Sequence, residues 1–89
     1  MQTREHLFFS GRVQGVGFRF RAYYLAQSLG LTGWVCNCDD ERVEMEVQGE
    51  AMQIQELIQA LQRQRFIEID TVDQKTIPLR KEHSFQVLD

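Results

Sequence analysis

Twice along this chain the spacing of apolar residues passes from the twofold alternation of a strand to the 3.6-residue period of a helix. Phe18, Ala22, Leu25, Ala26 and Leu29 fall at i, i+4, i+7, i+8 and i+11, an amphipathic stripe that predicts a first helix closed by Gly30. Ile54, Leu57, Ile58 and Leu61 restore that period and predict a second helix from Ala51 to about Gln64. Before the first helix, His6, Leu7, Phe8, Phe9 and Ser10 form an aromatic, apolar run too short for a helix, because Gly11 and Gly15 follow at once. Arg4 to Arg12 therefore reads as a strand.

Leu31 to Cys38, centred on Trp34 and Val35, suits a second strand, and Asp39, Asp40 and Glu41 suit a turn. Val43, Met45 and Val47 then alternate with Glu44, Glu46 and Gln48, so a third strand has one wet face. A fourth strand opens at Ile67 and Ile69 and runs toward Ile77, and a short one through Phe85 and Val87 closes the chain. The order β-α-β-β-α-β plus one strand predicts the α+β class: a ferredoxin-like split βαβ sandwich, its antiparallel-dominated sheet covered on one face by two helices. In that topology the first and second strands run parallel with the third between them, so their C-terminal ends meet. Residues 13–18 and Asn37 become neighbours.

A length of 89 residues fits one compact domain, 1–89. Ten Lys and Arg against thirteen Asp and Glu leave a net charge of -3, a field that repels a phosphodiester polymer and disfavours a nucleic-acid partner. Nothing near Met1 combines a basic start with an apolar run, and no stretch approaches the roughly 20 apolar residues that span a bilayer. The expectation is a cytoplasmic monomer with no membrane partner. Cys36 and Cys38, two positions apart on a strand, put their Cα atoms roughly 6.5 to 7 Å apart, at the edge of disulfide reach, so free thiols are expected. A structural zinc site wants about four ligands, and neither His6 nor His83 lies at a finger-like spacing.

The helix opening Gly15, Val16, Gly17, Phe18, Arg19 contains no Ser, Thr, Asp or Asn to cap it, although about four N–H groups at any helix start lack internal partners. With the positive end of the helix dipole and two glycines permitting close approach, an anion such as phosphate is a natural occupant, and Arg19 adds a planar cationic fork. On these residues alone a hydrated Gly-rich connection beside a solvated arginine is the more ordinary reading. A nucleotide P-loop does not fit, since no Lys-Ser or Lys-Thr follows, and Phe20 stands where the third glycine of a dinucleotide fingerprint would fall.

The run Ser10-Gly11-Arg12-Val13-Gln14-Gly15-Val16-Gly17-Phe18-Arg19 resembles the phosphate-binding signature of the acylphosphatase family, and Gly30-Leu31-Thr32-Gly33-Trp34-Val35-Cys36-Asn37 resembles its second signature. The likeness continues through Arg42-Val43-Glu44-Met45-Glu46-Val47-Gln48-Gly49, fades after the second helix and is loose at Phe85. It implies a hydrolase of acyl phosphates in which Arg19 and the amides of Val13, Gln14, Gly15, Val16, Gly17 and Phe18 hold the phosphate and Asn37 orients water. It implies no metal and no cofactor, with a small-molecule acyl phosphate as the partner. Two departures bear on the hairpin and the turnover rate: Glu41 stands where the family usually has glycine after the Asp of the turn, and Cys36 where a basic or Met side chain is common. For Gln14 and Phe18, shaping the loop is as good a reading as touching the ligand.

An acyl phosphate releases a carboxylate whose conjugate acid has a pKa of about 4, so departure needs little acid catalysis. The motifs hold no histidine, carboxylate or serine nucleophile, which points to the substrate's own phosphate oxygen as acceptor of the water proton. Tyr23 and Tyr24 read as packing or surface cover, Trp34 as cover for the sheet, and the turn acids as solvated groups rather than a Mg²⁺ site. Two rivals remain. An RNA-binding module on the same plan would need basic and aromatic residues on the open sheet face, where this chain offers Glu44 and Glu46. A non-catalytic acylphosphatase-like module for phosphate binding or protein interaction is the other, and the presence of both Arg19 and Asn37 argues against it.

Overall fold

The computed structural model describes residues 1–88. Seven elements follow one another: β1 (Gln2–Arg12), α1 (Phe18–Ser28), β2 (Thr32–Asn37), β3 (Val43–Glu50), α2 (Ala51–Gln62), β4 (Glu68–Ile77) and β5 (Phe85–Val87). The strands form one sheet in the order β4-β1-β3-β2-β5. β3 pairs antiparallel with both β1 and β2, β4 pairs antiparallel with β1, and β5 alone is parallel to its neighbour β2. This is the expected split βαβ plan.

Parity decides which face is packed. Leu7 and Phe9 of β1, Val35 of β2 and Val43, Met45 and Val47 of β3 are buried, and they meet Phe18, Ala22 and Ala26 of α1 and Ile54, Leu57, Ile58 and Leu61 of α2. Each helix thus buries the stripe that its period announced, with Leu25 and Leu29 half-buried at the margin. At the end of α1, Gly30 N–H donates to Gln27 O at 3.2 Å and Leu31 N–H to Ala26 O at 2.8 Å, the Schellman pair that satisfies the last carbonyls. The buried Leu31 then begins the approach to β2.

The opposite face is polar but only partly open. β4 and β5 occupy opposite edges of the sheet, so residues 78–84 must cross from one to the other. They close over Arg4, whose side chain is 0% exposed. Arg4 donates from Nε to Glu46 at 2.9 Å and from Nη1 and Nη2 to the Glu82 carboxylate at 2.7 and 3.2 Å. Gln48 fastens the same connection, donating to Arg80 O at 2.8 Å and accepting from Arg80 N–H at 2.9 Å. Strand alternation does not encode the crossing that turns Arg4 into the centre of a buried ion cluster.

Candidate active site

β1 and β2 run parallel on either side of β3, so the loop after β1 and the last residue of β2 come to the same end of the sheet. A register shift in the β1–β4 pairing between Ser10 and Gly11 bends β1 just before that loop. The loop is pinned at both ends by apolar side chains: Val13 and Phe18 are buried, and the Phe18 ring lies 5.0 Å from that of Phe9. Between these anchors Gly15 and Gly17 take φ of 74° and 80°, in the left-handed region. A Cβ at either would meet nothing within 4 Å, so backbone conformation, not crowding, requires glycine there. The space that side chains would fill stays open to a ligand.

Gly17 is also the N-cap of α1; no side chain caps the helix and its first turn carries no acidic residue. The positive end of the helix is therefore unscreened by its own sequence, which suits an anion. A cavity of about 220 Å³ lies at this point, lined by Val13, Gly15, Gly17, Phe18, Arg19, Phe20 and Asn37. The structure thus gathers Arg19 and Asn37 around the glycine loop although they are on different elements.

Two residues of the expected loop do not line this cavity. Gln14 turns its side chain to the β2–β3 hairpin and donates to Cys38 O at 2.8 Å and Arg42 O at 2.9 Å. Val16 lies on a neighbouring recess. Two residues outside the expected set belong here. Phe20 lines the cavity. Arg19 Nη1 donates to Leu88 O at 3.3 Å, while Leu88 N–H donates to Val35 O at 2.8 Å and holds the chain end against β2. The pairing of β5 with β2 brings Leu88 in, and no local pattern announces it. Phe20 carried a signal, an aromatic one position beyond Arg19 at an off-stripe position on the helix.

The turn beyond Asn37 is fastened by Asp40. Asp40 accepts from Arg42 N–H at 3.2 Å and from Arg42 Nε at 2.8 Å, and these contacts, the backbone one foremost, hold its carboxyl below the usual range. The Arg42 guanidinium lies 4.0 Å from the Phe8 ring centre, so the hairpin also rests on β1. Cys36 and Cys38 are free thiols. Burial, then the Glu44 charge, pushes the thiol of each up, Arg19 opposing this at Cys36 and Arg42 at Cys38, so neither is primed as a thiolate nucleophile. Among the described residues no group of three or more His, Cys, Asp and Glu is gathered as a metal site.

The acylphosphatase family model matches residues 5–87. The chain belongs to the acylphosphatase family. An acylphosphatase of Clostridium acetobutylicum is 39% identical over 80 residues, 88% of each chain. One from Acaryochloris marina is 42% identical over 80 residues, covering 89% of this chain and 86% of its own. The crystal structure of acylphosphatase from Bacillus subtilis superposes with a TM-score of 0.91 over 100% of both chains at 31% identity. The family match spans both signature segments and the hairpin that Gln14 ties to the loop. No helix among the described residues is long and apolar enough to cross a membrane.

Proposed function

We propose that this acylphosphatase family member hydrolyses acyl phosphates to a carboxylate and inorganic phosphate, with Arg19 and the loop amides holding the phosphoryl group and Asn37 placing the water. The observation that carries the reading is the single cavity shared by Arg19, Asn37, Gly15 and Gly17 at an uncapped helix start. A guanidinium and backbone N–H groups stabilise charge on the equatorial phosphoryl oxygens. An amide that both donates and accepts aims one water in line with the leaving oxygen.

The water oxygen forms the new bond to phosphorus, the bond from phosphorus to the acyl oxygen breaks, and the carboxylate leaves with that electron pair. The water proton passes to a phosphoryl oxygen of the substrate. Neither His6 nor His83 lines the cavity, nor does any carboxylate or serine, so the residues present offer position and charge rather than a base or a covalent nucleophile. The same reading takes the chain as a cytoplasmic monomer, acting as one domain without metal or cofactor. The non-catalytic alternative is less well supported, because the likeness to the Clostridium enzyme runs along 88% of both chains.

Benzoyl phosphate hydrolysis in the presence of chelator tests it. Arg19→Ala and Asn37→Ala each lower the rate roughly 100- to 1000-fold. Arg19→Lys recovers little, since an ammonium does not reproduce the planar two-point contact. Wild-type turnover by either alanine variant would sink the assignment, and loss of activity in chelator would bring metal chemistry into the reaction.

A further inference from the structure

Beside the loop cavity lies a second recess of about 330 Å³, in the size range of small-molecule sites. Gly17 and Phe20 line both, so the two hollows share a wall. Phe20, Tyr24 and Phe66 line it and are 70%, 62% and 66% exposed, although aromatic side chains of this size are ordinarily covered. Phe20 and Tyr24 are one turn apart on α1, and Phe66 comes from the segment between α2 and β4. Three exposed rings from two parts of the chain thus converge on one concave surface.

The charge of the recess runs against that of the molecule. Arg21 and Arg65 line it and no Asp or Glu does, in a chain whose net charge is -3. The Arg65 guanidinium sits 5.5 Å from the centre of the Phe66 ring, which places a cation at the edge of the aromatic surface. Asn37 lines the loop cavity and not the recess, whereas Gly17 and Phe20 line both. In-line displacement puts the acyl oxygen on the side of phosphorus away from the attacking water, and the recess that adjoins the loop cavity without Asn37 in its lining is where that acyl group would go.

Resting on the hydrolase reading above, we infer that this recess binds the acyl portion of the substrate and selects an aromatic acyl group with a second anionic substituent at its far end. The rings of Phe66 and Tyr24 cover the aromatic part, and Arg21 and Arg65 receive the distal anion. Phe66 and Arg65 are then specificity-determining residues placed outside the loop that grips phosphate.

The test compares kcat/KM for acetyl, benzoyl and 4-carboxybenzoyl phosphate in wild type, Phe66→Ala and Arg65→Gln, with inorganic phosphate as competitive inhibitor. Wild type favours benzoyl over acetyl phosphate, and 4-carboxybenzoyl over benzoyl. Phe66→Ala cuts the benzoyl-to-acetyl ratio about tenfold, chiefly through KM, as the loss of one ring contact implies. Arg65→Gln cuts the 4-carboxybenzoyl-to-benzoyl ratio about threefold to fivefold. Ratios that stay at wild-type values in both variants would overturn the inference. So would a parallel loss of inorganic phosphate inhibition, which would place the effect in the loop. No phosphate release from any of the three acyl phosphates by wild type would instead defeat the hydrolase reading, and this one with it.

Discussion

The side-chain amide of Gln14 donates to the carbonyl oxygen of Cys38 at 2.8 Å, and Arg42 O accepts from the same nitrogen at 2.9 Å. Cys38 N–H also donates to Arg42 O at 2.8 Å, closing the hairpin that starts just past Asn37. One side chain thus joins the loop that carries Gly15 and Gly17 to the strand end that carries Asn37.

Gln14→Leu, which keeps the bulk and removes both donors, is expected to cost about 1 to 3 kcal/mol of stability. It is also expected to lower kcat by about 10- to 100-fold by loosening the relation between the glycine loop and Asn37. Gln14→Glu does no better at neutral pH, because a carboxylate then faces two carbonyl oxygens. Urea unfolding together with steady-state kinetics measures both effects, and wild-type values in both would show the brace to be idle.

Neither histidine stands at the site. His6 Nε2 lies 2.7 Å from Glu44 on the polar sheet face, and His83 is in the β4–β5 connection. Turnover is therefore expected to stay nearly flat across the histidine titration range, roughly pH 5.5 to 8. A step near pH 6.5 in the rate profile that disappears in His6→Asn or His83→Asn would refute substrate-assisted proton transfer.

Glu41 has φ of 73°, left-handed for a residue with a side chain, in the turn that Glu41 N–H closes on Cys38 O at 3.3 Å. That conformation costs a non-glycine residue about 1 to 2 kcal/mol, and glycine gives part of this back through its freer unfolded chain. Glu41→Gly is expected to gain about 0.5 to 1 kcal/mol and to raise Tm by roughly 2 to 8 °C. A lower Tm on thermal unfolding would mean that the glutamate side chain earns its place in the turn.

Burial opposes ionisation of Glu82, yet the hydrogen bonds and charge of Arg4, with Thr32 and Arg80 assisting, hold its carboxyl below the usual range. With the folded value depressed, the contribution to stability is complete above the unfolded pKa of about 4.3 and is lost as pH falls through the folded value. Glu82→Gln lowers stability at neutral pH by up to about 3 kcal/mol, Glu46 still serving Arg4, and flattens the acid limb below about pH 4.3. Chemical denaturation at a series of pH values reads both. An unchanged acid limb would remove Glu82 as its source.

The helix and strand periods were legible because they depend only on neighbours a few residues apart, and the two parallel strand ends follow from the order of elements. The uncapped glycine start, too, is a local property, but Arg19 and Asn37 were picked out by the resemblance of their segments to two family signatures, and the structure lines one cavity with both. Side-chain direction within the loop was not legible: Gln14 and Val16 share the motif with Gly15 and Gly17, yet one braces the hairpin and the other lines the recess.

Sequence by itself determined the element order and the residue types that meet at the head of α1, since backbone conformation and amphipathic period are set by short-range sterics and burial. Only the tertiary structure decided that β5 lies beside β2, bringing Leu88 O to Arg19, and that residues 78–84 cross the sheet and bury Arg4 under Glu82. Those contacts join residues 69 and 78 positions apart, and such distances are fixed by which sheet edges remain unpaired once the core has closed.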